Sequence, residues 1–174
     1  GYLASKVREY FKDGSQFGVN ITYVEEKTPL GSAGAIKLAS NLLKEAFIVT
    51  NGDELKSINL DEMYTFHKSK SAKITVALTQ SFDPSSYGVA NIQDNIIEEF
   101  VEKPKIAPSN FINSGLSIWE PDVIKLIPDG FCMYEKEIYP ILAKQKKLFG
   151  YMMSGQWFDT GTPERYELAV EEWR

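Results

Sequence analysis

Apolar positions along the chain change period several times, and each change marks an element. Near the start, Tyr2, Leu3, Val7, Tyr10 and Phe11 fall at helical spacing before an Asp13-Gly14 stop. Residues 19–26 (VNITYVEE) alternate apolar and polar, which predicts a strand; residues 32–43 (SAGAIKLASNLL) return to helical spacing, with Ser32 as candidate N-cap. The run 46–50 (AFIVT) is continuously apolar, the pattern of a strand covered on both faces. A helix is predicted over 59–70, where Asn59 precedes Glu62 by three residues, close to a capping box. A strand over 73–80 and a hairpin over 87–104, turning at Asp94-Asn95, follow. Residues 112–120 read as a strand that leads into a helix starting at Pro121. Residues 135–145 read as helical with Pro140 as a candidate interruption, 148–153 as a strand, and 162–174 as a closing helix capped by Thr162 with Pro163 in its first turn.

Strands alternate with helices around one antiparallel excursion, which predicts an α/β domain with a mixed sheet. The opening helix has no strand feeding it. At 174 residues the chain fits one domain. A net charge of -5 argues against nucleic acid or an anionic membrane as a bulk electrostatic partner, and no stretch approaches the length of a membrane span. The lone Cys132, beside Phe131 and Met133, reads as a packing residue, with a reducing cytoplasm as the expected setting.

Four polar clusters carry candidate chemistry. In EEKTPLGSAGAI (25–36), Gly31 and Gly34 bracket a helix start whose free N–H groups favour an anion or a polar ring edge; taken alone, the segment reads better as a glycine-rich helix entry without ligand. In FIVTNGDEL (47–55), a strand ends on Asn51-Gly52-Asp53, which reads either as a turn or as a strand-end carboxylate able to hold a metal. In EFVEKP (99–104), Glu102 and Lys103 end a strand and point to opposite faces; Lys103 suits a phosphate and Glu102 suits hydroxyl groups. In GQWFDTGTPERY (155–166), Asp159 directly precedes a helix.

Taken in order, E-x-x-x-P-L-G-S-A-G-A, strand-N-G-D, Y-G-V, E-K-P, I-N-S-G and W-x-D-x-G-T-P-x-x-Y resemble the sugar-1-phosphate nucleotidyltransferases, above all the mannose-1-phosphate guanylyltransferase and glucose-1-phosphate thymidylyltransferase branches. The resemblance runs from about residue 2 to 174. It implies a Rossmann-like fold with a mixed, mainly parallel central sheet flanked by helices, and a reaction of a nucleoside triphosphate with a hexose 1-phosphate giving a nucleoside-diphosphate sugar and pyrophosphate. It assigns Mg²⁺ to Asp53 and Asp159, and the sugar phosphate to Lys103. Gly88, Glu102 and Asn113 would bond sugar hydroxyls, with Trp157 walling the sugar pocket. Leu30, Gly31, Ala33 and Gly34 would surround the base, and Gly52 would give the nucleotide clearance. Glu26 occupies a position where the thymidylyl and uridylyl branches tend to carry glutamine. An ionised carboxylate only accepts, and guanine offers two neighbouring donors, which favours GTP.

The family's glycine-rich phosphate loop (G-G-x-G-T-R-L) does not occur in these residues. The resemblance therefore implies a domain lacking its N-terminal strands, a weak or absent activity for the 174 residues alone, and exposed sheet edges that favour a second copy or a complementing N-terminal segment. Two rival readings are a nucleotide-sugar-dependent glycosyltransferase and an inactive nucleotide-sugar-binding relative. The first would more often show D-x-D than N-G-D-E-L. The second has no need of Asp53, Lys103 and Asp159.

Overall fold

The strand Ile74–Gln80 lies at the centre of the computed structural model, which describes residues 2–174. This strand, β3, is covered on both faces, so its first five residues, Ile74 to Leu78, are buried without alternation. Ile74, Val76 and Leu78 face a cluster with Trp119, Ile138, Tyr139, Leu142 and Leu148; Ala77 faces a second with Met63, Leu116 and Ile118. Met63 lies on α3 (Leu60–Ser69) and Leu142 on α4 (Tyr139–Lys144), so one helix covers each face.

Six strands form the main sheet: β1 (Phe47–Thr50), β3, β4 (Gly88–Gln93), β5 (Ile96–Glu102), β6 (Phe111–Trp119) and β7 (Leu148–Met152), in the order β1-β6-β3-β7-β5-β4. β3–β7 is parallel, and the β1–β6, β3–β6, β4–β5, β4–β6 and β5–β7 pairings are antiparallel. The sheet is mixed, as expected. Its parallel character lies in direction rather than adjacency: β1, β3, β4 and β7 run one way, and β5 and β6 run against them.

The capping predictions at Asn59 and Thr162 hold. Asn59 Oδ1 accepts from the Asp61 and Glu62 amides while Asn59 Nδ2 donates to Glu62, and Thr162 accepts from Arg165 N at the start of α5 (Pro163–Glu172). The hairpin turns at Asp94 and Asn95, with φ of 51° and 67°, the left-handed pair of a tight two-residue turn. Cys132 is fully buried, as a packing residue should be. Around Pro140 the helix splits into a π turn (Tyr134–Ile138) and α4, because proline removes a backbone donor.

Other expectations need correcting. Residues 19–26 alternate but form no strand, because no described strand lies beside them to complete a ladder. β1 is covered on one face only: Phe47 and Val49 pack on the core while Ile48 is 46% exposed. The helix at Gly31 (α2, Gly31–Leu38) has no side-chain cap. Ser32 lies inside its first turn, where it donates to Glu135 and accepts from Tyr134 N. After Pro121 a short 3₁₀ turn (Pro121–Leu126) replaces the predicted α-helix. The opening helix α1 (Ala4–Phe11) has no buried residue.

Candidate functional site

A second, two-stranded ribbon assembles the site. β2 (Glu54–Lys56) and β8 (Trp157–Asp159) pair antiparallel, with Glu54 opposite Asp159. Just beyond the pair, Thr160 donates both its amide (2.9 Å) and its hydroxyl (2.8 Å) to the Asp53 carbonyl. Residues 107 positions apart in sequence thus meet at one ribbon end. Asp53 follows the carboxyl end of β1, Lys103 that of β5, and Asp159 ends β8.

These three residues line one polar hollow of about 260 Å³. Gly88, Glu102 and Asn113 line it too, so six of the sequence-assigned residues converge. Gly88 lies opposite Glu102 in the β4–β5 ladder, and Lys103 N donates to Tyr87 O, which closes that ladder's end. A Cβ on Gly88 would come within 2.8 Å of Glu102 Oε2 and 2.5 Å of the Phe100 ring, so a larger residue here would have to displace one or both side chains. Asn113 is presented by a bulge in β6: between Val76–Ser117 and Leu78–Asn113, two steps of β3 oppose four of β6. Gly115, at φ +67°, makes the bulge, donates its amide to Asn113 Oδ1 and accepts from Asn51 N.

Lys103 adopts φ 49°, a left-handed conformation uncommon for a side-chain-bearing residue, and it is exposed at the rim. Glu102 is half-buried; burial, then the nearby Glu135 charge, pushes its pKa above the usual carboxylate value, against opposing pulls from Lys103 and Lys136. Asp159 is held by three donors. It accepts from Gly161 N (2.8 Å), Tyr87 Oη (3.3 Å) and the guanidinium of Arg165.

Asn51, Glu54, Tyr87 and Arg165 also line the hollow and were not singled out from the sequence. Three of them sit within two positions of assigned residues, and Arg165 lies six beyond Asp159, across the Thr162-Pro163 helix start. Proximity along the chain was the available signal. Trp157 stands behind the wall: its indole donates to Ser114 O (3.2 Å) and packs edge-on against Tyr87 at 5.4 Å.

The base-assigned segment lies outside this hollow. Gly31, at φ +73°, and Gly34 pack on the chain at 130–132, where Cβ atoms would come within 2.5 Å of Cys132 O and 2.6 Å of Gly130 O. Ala33 is fully buried and its amide donates to Cys132 O, while Leu30 N is held by Glu26 at 3.0 Å. Gly52 faces open space. The two regions are linked through Glu135, which accepts from Ser32 at 2.7 Å and acts electrostatically on Glu102.

Asp53 and Asp159, two of the four acidic residues that line the hollow, suit a hard cation of Mg²⁺ type, whose other positions would go to phosphate oxygens and water. Among the described residues no group of three or more His, Cys, Asp or Glu side chains that could hold a metal ion forms. No helix among the described residues is long and apolar enough to cross a membrane.

A profile of the nucleotidyl transferase family matches residues 2–173. The mannose-1-phosphate guanyltransferase of Saccharomyces cerevisiae is 39% identical over 171 residues, covering 94% of this chain and 46% of that protein. Mannose-1-phosphate guanyltransferase beta-B of Xenopus laevis is 36% identical, covering 95% and 48%. The chain therefore spans about half the length of the curated relatives it matches. Among solved structures, a putative glucose-1-phosphate thymidylyltransferase from Bacillus anthracis superposes with a TM-score of 0.85 at 27% identity, over 97% of this chain and 71% of that one. HddC from Yersinia pseudotuberculosis gives 0.77 at 24% identity, over 99% and 76%, a likeness of fold. With its profile matched nearly end to end, the chain belongs to the nucleotidyl transferase family.

Proposed function

We propose that the chain supplies the sugar-phosphate and metal-binding part of a site that joins a nucleoside triphosphate, GTP by preference, to mannose 1-phosphate or a similar hexose 1-phosphate. The observation that carries this is the convergence of Asp53, Lys103, Asp159, Glu102 and Asn113 on one hollow. Lys103 neutralises the acceptor phosphate and holds one of its oxygens in line with the nucleotide α-phosphorus. As that O–P bond forms, the bond from the α-phosphorus to the bridging β-oxygen breaks and pyrophosphate leaves. Glu102 and Asn113 bond sugar hydroxyls and fix the ring. A Mg²⁺ held by Asp53 and Asp159, when bound, would supply charge stabilisation for the transferring phosphoryl group. The guanyltransferase relatives and the acceptor-only carboxylate of Glu26 support GTP. The buried, unpaired Cys132 supports a reducing, cytoplasmic setting.

A ³¹P NMR titration with mannose 1-phosphate tests the acceptor half of the reading. Saturable binding that weakens at least about tenfold in Lys103→Gln is expected, since one charge-assisted contact contributes about 1.5–3 kcal/mol. Binding that is indifferent to Lys103 refutes it.

A further inference from the structure

We propose that Arg165 is a built-in counter-cation for the Asp159 carboxylate, and that a divalent ion reaches Asp159 only by displacing it. This rests on the metal role proposed above for Asp159.

The Arg165 guanidinium forms a hydrogen-bonded ion pair with Asp159 Oδ2. The two partners differ in freedom. Asp159 ends a strand, its side chain is only 17% exposed, and the Gly161 amide and Tyr87 hydroxyl hold its carboxylate in place. Arg165 is 43% exposed, and its head lies loosely 5.9 Å from the Tyr87 ring centroid. Its backbone is rooted, because Arg165 N donates to the Thr162 cap. The movable member of the pair is therefore the cation.

Arg165 also sits in the first turn of α5, the positive end of the helix dipole, where a cation is disfavoured. Its compensation there is the Asp159 carboxylate. A doubly charged ion competes for that carboxylate at an advantage, and the released guanidinium stays at a hollow that Lys103 also lines. Cation replaces cation, so the half-buried acid is never left without a counter-charge.

Titration of the free Mn²⁺ signal by electron paramagnetic resonance tests this on the wild-type chain, Arg165→Gln, Arg165→Lys and Asp159→Asn, with circular dichroism melting to verify folding. Arg165→Gln should bind Mn²⁺ about two- to fivefold more tightly, the upper part of the range for removing one partly exposed competing pair. Arg165→Lys should fall between, and Asp159→Asn should lose the site. If Asp159→Asn loses Mn²⁺ but Arg165→Gln binds it equally or more weakly, the counter-cation is refuted and the metal role of Asp159 stands. If neither the wild type nor Arg165→Gln binds Mn²⁺, or Asp159→Asn binds unchanged, both ideas fall.

Discussion

Replacing Gly31 by alanine separates packing from ligand binding in the G-S-A-G-A segment. The new Cβ would stand 2.5 Å from the Cys132 carbonyl oxygen, a backbone atom with little freedom to retreat. That carbonyl already accepts from Ala33 N at 2.9 Å and Gly34 N at 3.3 Å, and Cys132 N donates to Leu30 O at 2.9 Å. Moving it strains bonds worth about 1 kcal/mol each. The φ of +73° adds a left-handed penalty of about 1–2 kcal/mol for an L side chain. Together Gly31→Ala should lose about 2–4 kcal/mol, and at about 2–4 °C per kcal/mol for a chain of this size its Tm should fall by roughly 4–16 °C. Urea unfolding followed by circular dichroism measures the difference directly. Gly52→Ala is the control: nothing lies within 4 Å of its would-be Cβ, so its stability should stay within about 0.5 kcal/mol. A Gly31→Ala protein as stable as wild type would mean that the glycine is not required by packing.

Further outcomes follow from the same geometry. Asn59→Ala removes a cap that accepts from two amides, and should lower stability by about 1 kcal/mol, or 2–4 °C in Tm by calorimetry. His67 is fully buried between Thr75 and Glu120, and burial, the largest influence, lowers its pKa from 6.5 despite the opposing pull of Glu120. The unfolded chain therefore binds the proton more readily, and stability should fall as pH drops below about 6.5; His67→Gln should flatten that part of a urea-midpoint profile, and an unchanged slope would contradict the assignment. Burial pushes the Cys132 thiol up to about 11, so alkylation at pH 8 should be slow in the native state and fast in urea; rapid native labelling would contradict its packing role.

The elements legible in the sequence were those whose signals are local. Asn59 with Glu62, Thr162 with Pro163, and the Asp94-Asn95 turn each specify their own geometry through side chains a few residues apart. The site was legible as an ordered set of short segments: six of the residues it named line one hollow, while Trp157, Gly52 and the base-assigned segment do not. The device that joins them was not. β2 and β8 have three residues each, too few to show a period, and their pairing is a long-range event between Glu54 and Asp159. The strand predicted over residues 19–26 failed for the converse reason: alternation reports a preference for one-sided burial, but a strand forms only where a neighbour completes the ladder. β1 misled in the same way, because three successive apolar residues, Phe47 to Val49, look alike whether one face or two are covered. Gly31 and Gly34 pointed to a close approach. The approaching group in the structure is the backbone at Gly130 and Cys132.

The central claim is that the carboxylates of Asp53 and Asp159 and the ammonium of Lys103 serve one ion and one phosphate in a shared hollow. A crystal structure of the chain with Mn²⁺ and mannose 1-phosphate, with anomalous scattering recorded at the manganese edge, tests it most directly. The expected result is an anomalous peak bounded by Asp53 and Asp159, with the sugar phosphate against Lys103. A peak at other residues, or phosphate bound away from Lys103, would contradict the account.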